Sequence, residues 1–182
     1  MKRVLVPLAE GFEEIEAVTI IDVLRRAGVR VDVASLGSKR VVGSHGIALE
    51  ADMALDDARA ADYDLIALPG GMPGTLHLRE DRRVLRLVRE MASADKHVAA
   101  VCAAPSVLAG AGILDRRHAT VHPSAASFLS DAKLEDARVV RDGKIVTGKA
   151  AGTAMEFAFA LVEQLLGPPA VEEVNRSMFA RL

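Results

Sequence analysis

The first 35 positions show the hydrophobic pattern of a β-α-β unit. Residues 4–8 are a short apolar run, which predicts a buried strand. Residues 11–27 mix apolar and charged positions at helical spacing, and we predict a helix there with Ile15 and Val18 on its buried side. Residues 29–35 predict a second strand. A helix that connects two strands in this way implies a parallel sheet with a right-handed crossover.

The rest of the chain continues this alternation of strands and helices. The predicted strands are 65–68, 97–101 and 119–121; the predicted helices are 81–94, 105–111, 153–166 and a last short one from Pro168; hairpins are predicted at 41–49 and around Asp142 and Gly143. No repeat or linker interrupts the pattern. We therefore predict one α/β domain over residues 1–182, a three-layer sandwich with a mostly parallel sheet.

Composition narrows the classes of function. The net charge is −2 and aromatic residues make up 3% of the chain, so we expect neither the basic face nor the stacking surface of a nucleic-acid-binding protein. No apolar run approaches ~18 residues, and we expect no membrane segment. One cysteine excludes an internal disulfide and suits a reducing compartment. With no signal sequence predicted at the N-terminus, we expect a cytoplasmic protein.

The single cysteine stands at a predicted strand-to-helix turn. Cys102 follows the strand at 97–101, and the small residues Ala103 and Ala104 lead into a helix that begins at Pro105. The N-terminal end of a helix offers free N–H groups and partial positive charge, so we predict a lowered thiol pKa and a reactive thiolate. The alternative is a buried cysteine that serves as a small apolar side chain. The local run leaves both open.

Two further segments end at the same predicted edge of the sheet. Glu16 lies in the first helix, and a carboxyl group beside a thiolate is expected to stay protonated and to act as a general acid/base. Glu13 and Glu14 are expected to be solvated. Gly70 and Gly71 expose backbone amides which, with the amide of Ala103, could form an oxyanion hole. The alternative for the glycines is an ordinary turn.

His122 is the remaining candidate side chain. It follows the predicted strand at 119–121 and could relay protons, although an incidental polar residue is the alternative interpretation. Paired cysteines and an HxxxH-type spacing are both missing, so we predict no metal site. Residues 9–13 read AEGFE rather than G-x-G-x-x-G, which argues against a dinucleotide. No cofactor is expected.

Six segments in the same order resemble the ThiJ/PfpI superfamily, and most closely its DJ-one branch. They are 8–16 (LAEGFEEIE), 21–28 (IDVLRRAG), 68–71 (LPGG), 101–105 (VCAAP), 122–123 (HP) and 152–158 (GTAMEFA). The resemblance implies a flavodoxin-like fold and a homodimer. It implies that Cys102 is a nucleophile readily oxidised to a sulfinic acid, with Glu16 hydrogen-bonded to it, the amides of Gly71 and Ala103 beside it, and His122 nearby.

Other positions are assigned by the same resemblance or depart from it. Arg26 matches an arginine near the dimer interface and the pocket, and His45 stands where the family has a second arginine. The loop at 148–152, GKAAG, departs from the family's Gly-Pro-Gly form. Ala103 occupies the place where the superfamily's peptidases carry a histidine, so proteolysis is disfavoured.

The implied activity is a cofactor-free glyoxalase or protein deglycase. Such an enzyme acts on methylglyoxal, a small aldehyde, or on early glycated adducts, in a response to carbonyl or oxidative stress. A second hypothesis is a redox-sensing or chaperone-like stress protein whose Cys102 is oxidised to a sulfinic acid. A third is a member with a structural role only.

Overall fold

The computed structural model describes residues 1–180. The strands are β1 (Arg3–Leu8), β2 (Arg30–Ser35), β3 (Arg40–Val42), β4 (Ala48–Glu50), β5 (Met53–Ala54), β6 (Leu65–Leu68), β7 (His97–Val101), β8 (His118–Ala119), β9 (Lys133–Leu134), β10 (Val139–Asp142) and β11 (Ile145–Gly148). The helices are α1 (Glu14–Arg26), α2 (Gly74–Glu80), α3 (Arg82–Ser93), α4 (Pro105–Gly110), α5 (Ala154–Leu166) and α6 (Pro168–Met178). Short 3₁₀ turns connect several of them.

Seven strands form the central sheet in the order β10-β11-β7-β6-β1-β2-β5. All neighbouring pairs are parallel except β10 with β11, which form an antiparallel hairpin at one edge. The predicted α/β fold with a mostly parallel sheet is confirmed. The carboxyl ends of β1, β6 and β7 lie next to one another, which is the edge where open α/β sheets bind ligands.

Helices cover both faces of the sheet, so strand side chains are buried on both sides. In β1, Val4 and Val6 join the core cluster that contains residues of α1 and α5, whereas Leu5 joins the opposite cluster with residues of α3 and α4. Alternate side chains of a strand point to opposite faces. This double burial explains why the central strands read as continuous apolar runs.

The buried side of α1 differs from the prediction. Ile15 and Val18 are exposed, at 58% and 43%, and the buried stripe instead contains Glu16, Ile20 and Leu24. These three positions follow helical i, i+4, i+8 spacing. Ile20 and Leu24 pack in the core cluster that contains residues of α5 and the sheet, and Glu16 reaches Gly70. The prediction was wrong because it excluded a charged residue from the apolar stripe, whereas Glu16 occupies its first position.

Most other predicted elements lie where expected. The hairpin of β3 and β4 and the strand β7 agree with the prediction, whereas α2 was missed and the helix after the cysteine is shorter than predicted, ending at Gly110. α2 begins with glycine directly after a Gly-Met-Pro turn, which disguises its start. Within residues 1–180, no helix combines the length and the hydropathy needed to span a membrane.

Candidate active site

Cys102 forms a sharp turn between β7 and α4. Its φ of +62° lies in the left-handed region, which non-glycine residues rarely adopt. The turn is held by two backbone hydrogen bonds: Cys102 N–H donates to Gly148 O at 2.9 Å, and Ala104 N–H donates to Val101 O at 3.0 Å. The predicted strand-to-helix turn at the cysteine is confirmed, and the side chain is partly exposed.

Glu16 brings a carboxyl group to this turn from the first turn of α1. Its side chain is fully buried. One oxygen, Oε2, accepts a hydrogen bond from Gly70 N–H at 2.7 Å, while Oε1 is buried with no hydrogen-bond partner among residues 1–180. A buried, unpaired carboxylate oxygen is costly, and protonation would let it donate to a nearby acceptor.

Gly70 lies between the Glu16 carboxyl group and Cys102, and both are close to its Cα atom. A Cβ at this position would lie 2.8 Å from Cys102 Cβ and 2.8 Å from Glu16 Oε2. Real Cβ atoms do not approach other atoms so closely, so the space requires glycine. The missing side chain therefore allows Glu16 and Cys102 to converge on the same point at the end of β6.

Backbone amides complete the surroundings of the sulfur. The N–H groups of Ala103 and Gly71 form backbone hydrogen bonds with the Cys102 sulfur, and these bonds lower the pKa of the thiol. Gly71 adopts φ +96°, and a side chain on it would overlap the backbone at Phe12 and Glu13. Glu13 N–H donates to Gly70 O at 2.9 Å, which fixes Gly70 and Gly71, the glycine strap, against the start of α1.

Glu16 and Cys102 influence each other's ionisation. Burial raises the pKa of Glu16 to about 7. Burial also raises the pKa of the Cys102 thiol to about 12, and the Glu16 carboxylate adds to that rise. The first proton of the pair therefore leaves near neutrality and the second only in strong alkali, so the pair holds one proton and one negative charge over a wide pH range.

Burial opposes the lowered thiol pKa that the helix terminus predicts. α4 has only six residues, so its dipole is small, and burial outweighs the two amide hydrogen bonds in setting the pKa of Cys102. Burial raises the pKa of Glu16, which shifts it towards the neutral form that the sequence analysis expects. A thiolate at this site thus depends on the shared proton residing on Glu16.

His122 approaches the cysteine through its backbone. Its N–H donates to Cys102 O at 2.8 Å. Its ring Nδ1 lies 2.7 Å from Ser124 Oγ and accepts from Ser124 N–H at 3.2 Å, capping the 3₁₀ turn that follows. Nε2 makes no hydrogen bond to residues 1–180 and is the ring atom left for proton transfer.

The structure does not bring Arg26 to this site within one chain. Arg26 lies ten positions after Glu16 on α1, roughly 15 Å along the helix axis, and pairs with Asp22 at 2.8 Å. Its assignment to the pocket remains a prediction that depends on a partner chain. Cys102, Glu16 and the glycine strap are brought together.

The sequence analysis missed Glu14, which was expected to be solvated. Its side chain is 5% exposed, and Oε1 accepts from His45 N–H at 2.7 Å and from Ile47 N–H at 3.3 Å, while Oε2 faces His45 Nδ1 at 3.0 Å. Burial opposes its ionisation, but these hydrogen bonds prevail and lower the pKa of Glu14 to about 2. The sequence around Glu14 gives no signal of these partners, because they lie about thirty residues later in the chain.

One set of possible metal ligands occurs among residues 1–180. Donor atoms of Glu13, Glu14 and His45 lie within 4.8 Å of one another. Both oxygens of Glu14 are already hydrogen-bonded to the hairpin between β3 and β4, so an ion pair accounts for this set.

The chain is similar to known proteins over most of its length. The profile of the DJ-1/PfpI family matches residues 2–164. Protein DJ-1 homolog B of Arabidopsis thaliana is 42% identical over 167 residues, covering 91% of this chain and 38% of the relative. This chain thus spans about two fifths of that relative's length. Glutathione-independent glyoxalase DJR-1.2 of Caenorhabditis elegans is 35% identical over 161 residues, covering 87% of this chain and 86% of the relative.

A solved structure shows the same architecture. The structure described as oxidized Toxoplasma gondii DJ-1 covers 100% of both chains with a TM-score of 0.96 at 35% identity. At this identity and coverage the likeness extends over the whole fold, including the edge of the sheet where Cys102 lies.

Proposed function

Because the chain belongs to the DJ-1/PfpI family, we propose that it is a cysteine-dependent, cofactor-free glyoxalase that acts on small α-oxoaldehydes such as methylglyoxal. The observation that carries this proposal is the convergence of the Cys102 thiol and the buried Glu16 carboxyl on Gly70. The glyoxalase name of the Caenorhabditis relative supports the same reaction class. A role in carbonyl or oxidative stress follows from that substrate class.

The first step forms a carbon–sulfur bond. With the shared proton on Glu16, the Cys102 thiolate attacks the aldehyde carbon, and the carbonyl electron pair moves to oxygen. The amides of Gly71 and Ala103 face this region and stabilise the developing oxyanion, which then takes the Glu16 proton. The product is a hemithioacetal, and Glu16 becomes a carboxylate.

The second step moves hydrogen between adjacent carbons. The Glu16 carboxylate removes the hydrogen of the former aldehyde carbon as a proton, and the electron pair forms a carbon–carbon double bond as the neighbouring carbonyl oxygen takes the negative charge. In this enediolate the hydroxyl proton passes from the first oxygen to the second. Return of a proton to that neighbouring carbon, with His122 Nε2 as a relay, gives a hydroxyacyl thioester on Cys102. One carbon is oxidised and its neighbour is reduced, so the step needs no external oxidant or cofactor.

The third step frees the enzyme. Water adds to the thioester carbonyl, Glu16 accepts the proton of the attacking water, and the carbon–sulfur bond breaks to release the thiolate and a hydroxy acid. Methylglyoxal and one water thus give lactic acid. The partly exposed Cys102 also admits larger adducts, so we extend the proposal to deglycation of early glycated side chains.

The replacement Cys102→Ser tests the proposal directly. We expect lactate formation from methylglyoxal to fall by about a thousandfold or more, with an unchanged circular dichroism spectrum, because serine keeps the size but not the nucleophile. Ser177→Ala, on α6, is the control and should retain the wild-type rate. Lactate formation by the Cys102→Ser protein at the wild-type rate would end the proposal.

A redox-sensing role is the second candidate, favoured by the oxidized state named for the Toxoplasma neighbour. The amides around Cys102 would also hold the oxygens of a sulfinate. Intact mass after mild peroxide separates the two. A gain of two oxygens confined to Cys102, in a protein without methylglyoxal turnover, supports sensing; turnover without that gain supports the enzyme.

We also propose that the protein forms a homodimer through α1 and the hairpin of β3 and β4. The exposed apolar side chains of Ile15, Val18 and Ile47 lie on these neighbouring elements, and each is more than 40% exposed. The hairpin is joined to the start of α1 by the hydrogen bond from Ile47 N–H to Glu14. Clustered exposed apolar residues of this kind commonly mark a protein interface.

A further inference from the structure

The turn between β3 and β4 carries an imidazole against the start of α1. His45 Nδ1 lies 3.0 Å from Glu14 Oε2 and 3.5 Å from Glu13 Oε2. The turn is fixed there by its backbone, since Ser44 N–H donates to Phe12 O at 2.8 Å. His45 therefore faces two carboxylates from a rigid support, although its own side chain is largely exposed.

Of these two glutamates, Glu13 also contacts the surroundings of the Glu16–Cys102 pair. Glu13 N–H holds Gly70 O at 2.9 Å, and Gly70 N–H in turn holds Glu16 Oε2 at 2.7 Å. The negative charge of Glu13 contributes to the raised pKa of Glu16. A change in the charge next to Glu13 therefore changes the ionisation of the Glu16–Cys102 pair.

We propose that His45 is a positioning residue for the chemistry of Cys102: its protonated imidazole neutralises Glu13 and so limits the repulsion that Glu13 exerts on the Glu16–Cys102 pair. When His45 loses its proton, that repulsion returns and disfavours a negative charge on the pair. The effect on turnover depends on the proposed glyoxalase function, whereas the effect on thiol reactivity depends only on these contacts.

The groups that face His45 keep it protonated towards neutral pH. From the start of α1 these are Glu14 and Glu13, whose hydrogen bond and charges raise the pKa of His45. From its own turn, Ser44 Oγ lies 3.1 Å from Nδ1. From the loop after β1, the Glu10 carboxylate binds Val42 N–H at 3.1 Å and adds negative charge to this side of the hairpin.

Alkylation of Cys102 by iodoacetamide, measured against pH, tests the proposal in the intact 182-residue chain. Cys102 is the single cysteine, so the reaction reports one site. In His45→Arg the positive charge persists at all pH values, and in His45→Gln it is missing. At pH 6 we expect wild type and His45→Arg to react alike and His45→Gln about threefold slower. At pH values where His45 has lost its proton, the alkylation rate of wild type should drop below that of His45→Arg and approach that of His45→Gln.

Two controls separate charge from structure. His118→Gln removes a similar imidazole, 2.5 Å from Glu135 at β8, and should match wild type. In a Glu13→Gln background the charge that His45 offsets beside the pair is gone and only Glu14 still faces the imidazole, so His45→Gln should slow the reaction much less than it does in wild type. An equal slowing in that background, identical profiles for all His45 variants, or His45→Arg behaving like His45→Gln would each overturn the proposal. If none of these proteins forms lactate, the proposed glyoxalase function fails, while the alkylation profiles still decide the role of His45.

Discussion

Glu16 and Cys102 meet across Gly70, where the missing side chain leaves room for a carboxyl and a thiol to lie together. Burial raises the pKa of both groups, to about 7 for Glu16 and to about 12 for Cys102, so the pair loses its first proton near neutral pH. The ionisation of the sulfur thus depends on two elements of the fold, the start of α1 and the end of β7.

Gly70→Ala should separate the pair without unfolding the protein. The new Cβ would lie 2.8 Å from both Glu16 Oε2 and Cys102 Cβ, so one of them must move. We expect kcat/KM for methylglyoxal to fall by about a hundredfold and Tm by about 5 °C. Gly37→Ala, where nothing lies within 4 Å, is the matched control. Unchanged kcat/KM in Gly70→Ala would show that the close approach has no catalytic role.

Glu16→Gln should slow the alkylation of Cys102 near neutral pH. In wild type the first proton leaves the pair near pH 7, and the neutral acid can donate to sulfur. Glutamine donates a weaker hydrogen bond than a neutral carboxylic acid, so the thiolate loses part of its stabilisation in this buried site. We expect the alkylation midpoint to move to higher pH, with about a tenfold lower rate at pH 7.5. A faster rate in Glu16→Gln would mean that the carboxylate only opposes the thiolate.

Much of the fold was predictable because the central strands are buried on both faces. Such strands appear as uninterrupted apolar runs, and β6 and β7 were predicted to the residue. The turn at Cys102 was predictable from small residues and a proline after β7. α2 was missed because its start, after Met72 and Pro73, lacks the usual capping residues.

The site was predictable in its members but not in its electrostatics. Glu16 was identified from its place beside the strand ends. Its full burial was not expected, because apolar spacing alone places Ile15 and Val18 on the buried side of α1. The pKa of Cys102 depends on burial and on Glu16, which the local sequence does not contain. Glu14 was missed for the same reason: its partners are the amides of a hairpin about thirty residues later.

Glu14 should govern stability in acid. Its pKa is about 2 in the folded protein and about 4.5 in the unfolded chain, so the unfolded state binds the proton first as pH falls. The stabilisation is fully present above pH 4.5 and is lost progressively between pH 4.5 and 2. Calorimetric Tm values from pH 6 to 3 should show a steeper acid decline in wild type than in Glu14→Gln. Parallel declines would contradict this assignment.

Val18→Glu should produce a monomer. The substitution places a charge in the exposed apolar surface on α1, where a partner chain would bury it. We expect sedimentation velocity to show a dimer for wild type and a species of half that mass for the variant. Leu134→Glu, at a comparably exposed apolar site on β9, is the control and should remain dimeric. A dimeric Val18→Glu protein would place the interface elsewhere.

Both backbone polar groups of Gly70 are hydrogen-bonded: its N–H donates to the Glu16 carboxyl, and its oxygen accepts from Glu13 N–H. The backbone beside Cys102 is therefore held in place before any small molecule arrives. A ligand encounters donors that need no rearrangement, so little ordering entropy is lost on association. Crystals soaked with an aldehyde and crystals grown with the same aldehyde should show the same backbone positions at Gly70 and Gly71.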